Sequence, residues 1–379
     1  MITGGSLHLC RQRAALAVMV LLLVLSCIGC KEQSSPSRKQ GGDLTGANVV
    51  KKLLMPAQGA YTGAYVDFGE GEDEVTYDAL TAFEELTGKH VAMIAFGSFW
   101  GEQSFPVKTI RIIEGYGAVP LVFWSPWDRP YEESKGPDRF NLNDILAGKW
   151  DSYIDQWADG ARNYGKPLLV TWGLEMNGAW FPWSGQYYGG GTVMGEEKGQ
   201  QRYAGPELYK QAYRYVVDRV RTRKADNILW GFHVNNYSSP RDSWNAMASY
   251  YPGANYVDWL GLSVYGKMIK AEGWASFDDV MAEPYEEICR LDPHKPVILA
   301  EWGVGEFPPG DKAAFIATAL NDLASRYPRV RAAVYWHERW ENKDGTYSNL
   351  RVNSSPEALN AYRTGIAAPF WLDRPQYSP

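Results

Sequence analysis

Eight apolar runs separated by amphipathic stretches constrain this chain more than any other feature. They are Tyr61–Val66, His90–Ala95, Ala118–Trp124, Pro167–Gly173, Ile228–Val234, Val257–Val264, Pro296–Glu301 and Ala332–Trp336. Their apolar residues are largely consecutive rather than alternating, so both faces of each run are buried, as in a parallel sheet. Between them lie helical patterns at Glu74–Thr87, Pro106–Tyr116, Trp150–Tyr164, Pro206–Lys224, Phe277–Leu291 and Asp311–Tyr327, several ending in Gly, Pro or a basic residue. The Ser238–Tyr256 stretch predicts a loop or a short helix. Strand–helix alternation calls for a parallel sheet with helices packed on it. Eight such units in a chain of 379 residues predict a single (β/α)8 barrel (TIM barrel) over residues 57–379.

The N-terminal part reads differently. Residues 1–29 have the form of a signal peptide: Arg11 and Arg13 precede an apolar stretch from Ala14 to Ile28 that is short for a membrane span. Cys30 follows Ile28-Gly29 in the manner of a bacterial lipoprotein cleavage site and is the expected lipidation point. Cys27 after Leu25-Ser26 is the alternative, and ordinary cleavage with secretion is another. The tract after Cys30 is rich in Ser, Lys, Gln and Gly, so residues 30–56 are expected to form a flexible tether. Lys31 is not an acidic inner-membrane retention residue, which points to the outer membrane or cell surface.

Of the four cysteines only Cys289 lies in the body, so no intramolecular disulfide is available there and a packed thiol is expected. A net charge of −6 with 22% charged residues argues against nucleic-acid binding, which wants a basic patch. No zinc spacing, calcium loop or phosphate loop is present, so no metal or cofactor is expected. A monomer is expected.

Function points to the mouths of two strands. Run four, Leu168-Leu169-Val170-Thr171-Trp172-Gly173-Leu174, ends on Glu175 and continues into Met176-Asn177-Gly178-Ala179-Trp180-Phe181-Pro182-Trp183. Run seven ends Ala300-Glu301-Trp302-Gly303. In a (β/α)8 barrel the C-terminal strand ends carry the active site, so Glu175 and Glu301 are expected to face one cleft. The same end should receive Trp124 and Trp127, Trp183, Asn236 and His337, and the candidate substrate contacts Trp180, His233, Asn235, Tyr265, Trp302 and Trp336. Rings offer apolar faces to the C–H faces of sugars, and the 16 Trp and 24 Tyr exceed what a core is expected to need. Two carboxylates suit glycosidic cleavage, where one protonates the leaving oxygen and the other stabilises an oxocarbenium-like centre. Trp180 and Trp302 read either as sugar platforms or as packing beneath the cleft. His233 and Asn235 read either as partners of sugar hydroxyls or as structural groups. A carbohydrate-binding lipoprotein with an inactive barrel is the alternative function, and the presence of both acids argues against it.

The motifs Glu175-Met176-Asn177-Gly178 with Trp180-Phe181-Pro182-Trp183, Ile298-Leu299-Ala300-Glu301-Trp302-Gly303, Val264-Tyr265-Gly266, Trp336 and the tail around Arg351–Ala358 resemble glycoside hydrolase family 26. That is the endo-β-mannanase family of the four/seven superfamily of retaining (β/α)8 hydrolases. The resemblance covers about Tyr61 to Tyr362. It implies Glu175 as acid/base, Glu301 as nucleophile, Tyr265 as hydrogen-bond partner of the nucleophile and Trp336 as the platform at the cleaved sugar. The implied partner is a polysaccharide. Leu174 departs from the pattern, because mannanases of the family usually have His there, beside the sugar's 2-hydroxyl. A β-glucan or exopolysaccharide is therefore as credible a substrate as mannan.

Overall fold

A computed structural model describes residues 51–67, 74–128, 136–197 and 199–378, all within one body from Val49 to Pro379. The signal peptide, Cys30, the tether to residue 50 and most of the acidic Asp67–Glu74 tract lie outside the described residues. The eight expected strands are all present: β1 (Ala60–Val66), β2 (Met93–Phe99), β3 (Val119–Ser125), β4 (Leu168–Trp172), β5 (Ile228–Asn235), β6 (Trp259–Tyr265), β7 (Val297–Gly303) and β8 (Val330–His337). Each pairs in parallel with the next, and β8 returns to β1 through Ala332↔Tyr61 to His337↔Val66, which closes the barrel. Almost every strand residue is buried, as the unbroken apolar runs required.

Outside the strands run α1 (Tyr77–Thr87), α2 (Val107–Tyr116), α3 (Asp151–Tyr164), α4 (Ala204–Thr222), α5 (Phe277–Leu291), α6 (Lys312–Ser325) and α7 (Pro356–Ile366). Their starts are set by local chemistry. Thr76 accepts from the Ala79 amide to begin α1, Ser276 and Asp279 form a reciprocal capping box for α5, and Ser355 with Pro356 starts α7. The stretch between β5 and β6 holds one short α-helical turn, Met247–Tyr250, flanked by 3-10 turns at Ser243–Asn245 and Ala254–Tyr256. At the N-terminal end of the barrel, Leu53–Leu54 pairs antiparallel with Gln376–Tyr377, while Trp371–Leu372 adds beside the start of β1. Cys289 is free and half-buried on α5 against the core.

One expectation is corrected. Half of the sixteen tryptophans, including Trp124, Trp183 and Trp302, are fully buried in the core rather than spent on a sugar cleft. Trp124 and Trp157 stack at 4.0 Å, with Trp100 and Tyr153 against them. Trp100, Trp157, Trp172 and Trp302 have no acceptor for their N–H groups. The apolar area of these large rings and their ring-to-ring contacts outweigh the lost hydrogen bond.

Candidate active site

The chain leaves β4 through Gly173 at φ +59 and carries Glu175 itself at φ +50, a left-handed conformation uncommon for a residue with a Cβ. Such backbone is held only when the surroundings over-determine it. Here they do. The Glu175 amide donates to the His233 carbonyl at 2.8 Å. Asn177 is fully buried and exchanges hydrogen bonds with β5: its Nδ2 donates to the Asn235 carbonyl and its Oδ1 accepts from the Asn235 amide, both at 3.0 Å. Asn245 Nδ2 donates to the Asn177 carbonyl at 2.9 Å.

Gly178 completes the motif. A Cβ there would lie 2.4 Å from the Trp180 indole, which folds back over it. That fold brings Trp180 Nε1 to donate to Glu175 Oε2 at 2.7 Å. The run Glu-Met-Asn-Gly is thus one carboxylate, one core side chain, one clamp and one space for a ring.

Glu301 sits at the end of β7, and Tyr265, at the end of β6, donates its hydroxyl to Glu301 Oε2 at 2.8 Å. Both carboxylates are 7% exposed. Atoms of Glu175, His233 and Glu301 all lie within 4.8 Å of one another, so the two acids share one cavity. These three are also, among the described residues, the group closest to holding an ion. Glu301 is engaged by the Tyr265 hydroxyl and His233 Nε2 by Ser263 Oγ.

Burial raises Glu175 above the ordinary carboxylate range, opposed by hydrogen bonds from Ser263 and Trp180. Burial raises Glu301 well above it, reinforced by the like charge of Glu175 and then Glu338, and opposed by the Tyr265 hydroxyl. Two carboxyls so close and so dry titrate as a pair, and one proton stays between them well above the usual carboxylate range.

The remaining expected contacts divide. Trp336 is half-buried, stacks face-on to Tyr65 at 3.8 Å, and donates Nε1 to Glu338 Oε2 at 2.6 Å. Trp302 cannot be a platform: it is 1% exposed, packed edge-on against Tyr335 and Phe277. The residue after Glu301 points to the opposite face of the strand, into the helix layer. Asn235 is buried and committed to the turn, its Nδ2 donating to the Tyr237 carbonyl at 3.0 Å. His233, at 1% exposed, bonds Ser263 Oγ through Nε2 at 2.8 Å. Of the flanking residues, Trp127 meets Phe181 and Trp183 edge-on, Asn236 donates to the Val280 carbonyl, and His337 Nδ1 accepts from the Val352 amide.

Ser263, Glu338 and Tyr65 were not foreseen. Ser263 is two residues before Tyr265 and therefore on the same strand face, and Glu338 follows the eighth strand as Glu175 follows the fourth. Those two signals were there to be read.

Acids placed at the ends of β4 and β7, with rings about them, are an arrangement suited to a glycoside hydrolase. Similarity to known proteins narrows that class. The Glycosyl hydrolase family 26 model matches residues 141–303, a span that holds both acids. A mannan endo-1,4-beta-mannosidase of Bacillus subtilis is 32% identical over 306 residues, 78% of this chain and 72% of that protein. Endoglucanase H of Acetivibrio thermocellus is 31% identical over 76% of this chain, but the match spans only 29% of that protein's length. The chain belongs to glycoside hydrolase family 26. In fold it is similar to the catalytic domain of a Bacillus sp. JAMB-750 GH26 endo-beta-1,4-mannanase, with TM-score 0.60, 18% identity and coverage of 83% of this chain and 87% of that one.

Proposed function

We propose that this chain is a retaining endo-β-glycanase that cleaves internal β-glycosidic bonds of a polysaccharide by double displacement. The observation that carries this reading is the approach of Glu175 and Glu301, whose nearest ligand oxygens lie within 4.8 Å. Retaining enzymes hold their carboxyls about 5–5.5 Å apart, whereas inverting ones leave roughly 6.5–9.5 Å for a water.

In the first half-reaction Glu301 attacks the anomeric carbon while Glu175 gives its proton to the leaving oxygen. In the second, Glu175 takes a proton from water, the water oxygen bonds to the anomeric carbon, and the bond to Glu301 breaks with its electrons returning to the carboxylate. The Tyr265 hydroxyl favours Glu301 in its ionised form. Trp336, braced by Tyr65 and Glu338, supplies a flat face beside the reacting sugar. A purely binding barrel has no use for a coupled acid pair, which argues against the lectin-like alternative.

The substrate we propose is a gluco-configured or mixed β-linked polymer as much as a mannan. Leu174, directly before the acid/base, is 5% exposed and has no side-chain hydrogen-bonding group. The relatives carry both names, endoglucanase and mannosidase. The test is release of reducing ends from mannans, mixed-linkage and β-1,4-glucans, glucomannan and xylans by the purified protein. No activity on any of them would overturn the glycanase reading.

We further propose that Cys30 carries lipid and tethers a monomeric barrel to the bacterial envelope, on the outer membrane or cell surface. Its support is the residues 11–31 pattern alone. Among the described residues no helix is long and apolar enough to cross a membrane.

A further inference from the structure

Ser263 stands between two groups of the site and belongs to neither. It is fully buried on β6, its Oγ 2.8 Å from His233 Nε2. Ring and carboxylate atoms of His233 and Glu175 lie within 4.8 Å of one another, so serine, imidazole and acid form one buried cluster in which the serine hydroxyl favours the ionised Glu175. His233 Nδ1 is buried with no partner. Burial pushes the imidazole down to about 3, so it stays neutral wherever the enzyme works.

A neutral ring has one N–H, and its position follows from cost. An orphaned buried donor is rarer and costlier than an orphaned acceptor, so we assign the hydrogen to Nε2 and leave the bare lone pair at Nδ1. Nε2–H then donates to Ser263 Oγ, and the serine's own hydrogen is left to point at Glu175. We propose that Ser263, fixed by His233, is a positioning residue that presents its hydroxyl hydrogen to the Glu175 carboxylate and so favours the ionised form required of the base in the second half-reaction.

This rests on the acid/base role proposed for Glu175. The consequence is kinetic. The first half-reaction needs Glu175 protonated and gains nothing from this donor. The second starts with Glu175 ionised, when the donor orients the carboxylate toward the incoming water. The other titratable groups facing Glu175 are Glu301 on β7, Tyr265 on β6, and Tyr237 after β5, with Glu338 acting through Glu301. None of them can replace the serine: Tyr265 is committed to Glu301, and the carboxylates repel.

The experiment compares wild type with Ser263→Ala, Ser263→Thr and His233→Leu, using an activated aryl β-glycoside whose slow step is hydrolysis of the glycosyl-enzyme. In Ser263→Ala the basic limb of the kcat/KM profile moves to higher pH, because a hydrogen bond to the charged form has been lost. Its kcat falls about tenfold and KM falls with it, so kcat/KM changes less than about threefold. Ser263→Thr keeps a γ-hydroxyl and restores both, and His233→Leu moves both in the same direction as the alanine variant. An unmoved pH profile in Ser263→Ala, or equal losses in kcat and kcat/KM, overturns the proposal. Should the alanine variant fail to fold, Ser263→Cys, with its weaker donor, is read by the same two criteria. Glu175→Ala is assayed alongside. If it stays active, the acid/base role itself fails; if it is inactive while Ser263→Ala behaves as wild type, only the present inference fails.

Discussion

Trp180 donates its indole N–H to Glu175 Oε2 at 2.7 Å from only five residues along the chain, a contact permitted because Gly178 leaves room for the ring. The motif therefore builds its own hydrogen-bond donor. A partner fixed by the same turn cannot drift away from the acid it serves.

Trp180→Phe keeps the ring and removes the donor. A hydrogen bond to a charged group is worth about 1.5–3 kcal/mol. The second half-reaction, which starts with Glu175 ionised, should therefore slow about ten- to hundredfold and lower kcat on an activated aryl β-glycoside, with KM falling alongside. Steady-state kinetics on the two proteins, with circular dichroism to verify the fold, checks this. An unchanged kcat would show that the bond is not used in the second half-reaction.

Glu301→Ala should abolish turnover and leave the fold nearly unchanged, because covalent catalysis is lost outright. Azide should restore cleavage of an activated aryl β-glycoside and yield a glycosyl azide of inverted anomeric configuration. Residual activity above about a tenth of wild type without azide would remove Glu301 from the nucleophile role.

The same acid pair should weaken the fold. Both carboxyls are raised above their ordinary value by burial and, for Glu301, by its neighbours. As pH rises past the ordinary carboxylate value the unfolded chain ionises there while the native site still holds its proton. Stability contributed by these groups is full below that pH and declines until the raised values are passed. Glu301→Gln removes this burden, so its Tm at pH 7 should rise by about 2 °C or more, with little change at pH 4. Calorimetry across that range decides; a Tm lowered at pH 7 would contradict the electrostatic account.

Leu174→His should raise activity on mannan relative to glucan, since one hydrogen bond to a polarised hydroxyl corresponds to about ten- to hundredfold in relative kcat/KM. The ratio of rates on the two polymers is the measurement. A wild type that degrades mannan alone, with the substitution harmful or neutral, would show that this position does not choose the sugar.

Cys30→Ser should move the protein from the membrane fraction to the soluble one. Stable anchoring needs more than one acyl chain, so mass spectrometry of the native N-terminal peptide should find several. Membrane association that survives loss of both Cys27 and Cys30 would defeat the lipid-anchor reading.

The barrel strands could be read from the sequence because a parallel strand is dry on both faces and so written in consecutive apolar letters. β2 shows the limit of that rule. Its apolar run suggested His90–Ala95, whereas the strand is Met93–Phe99, with buried Ser98 inside it. Glu175 and Glu301 stood out as the first charges after such runs. What composition obscured was the destination of the indoles: a tryptophan in a core and one in a cleft are the same letter, and only packing placed Trp302 inside and Trp180 beside the acid. The hairpin Val193–Glu197/Gln200–Tyr203 was not foreseen, since its first strand is exposed throughout and carries no buried face to write a pattern.

The clamp that Asn177 makes on β5 has a bearing on how such an enzyme can change. Because the acid's backbone is fastened sideways to the neighbouring strand, its position rests on β5 rather than on the exposed hairpin Val193–Glu197/Gln200–Tyr203. The exposed hairpin and the turns around it hang downstream of that fastening. Length and sequence there can be rewritten, by evolution or by an engineer seeking grip on a different polymer, while the proton donor stays where it is.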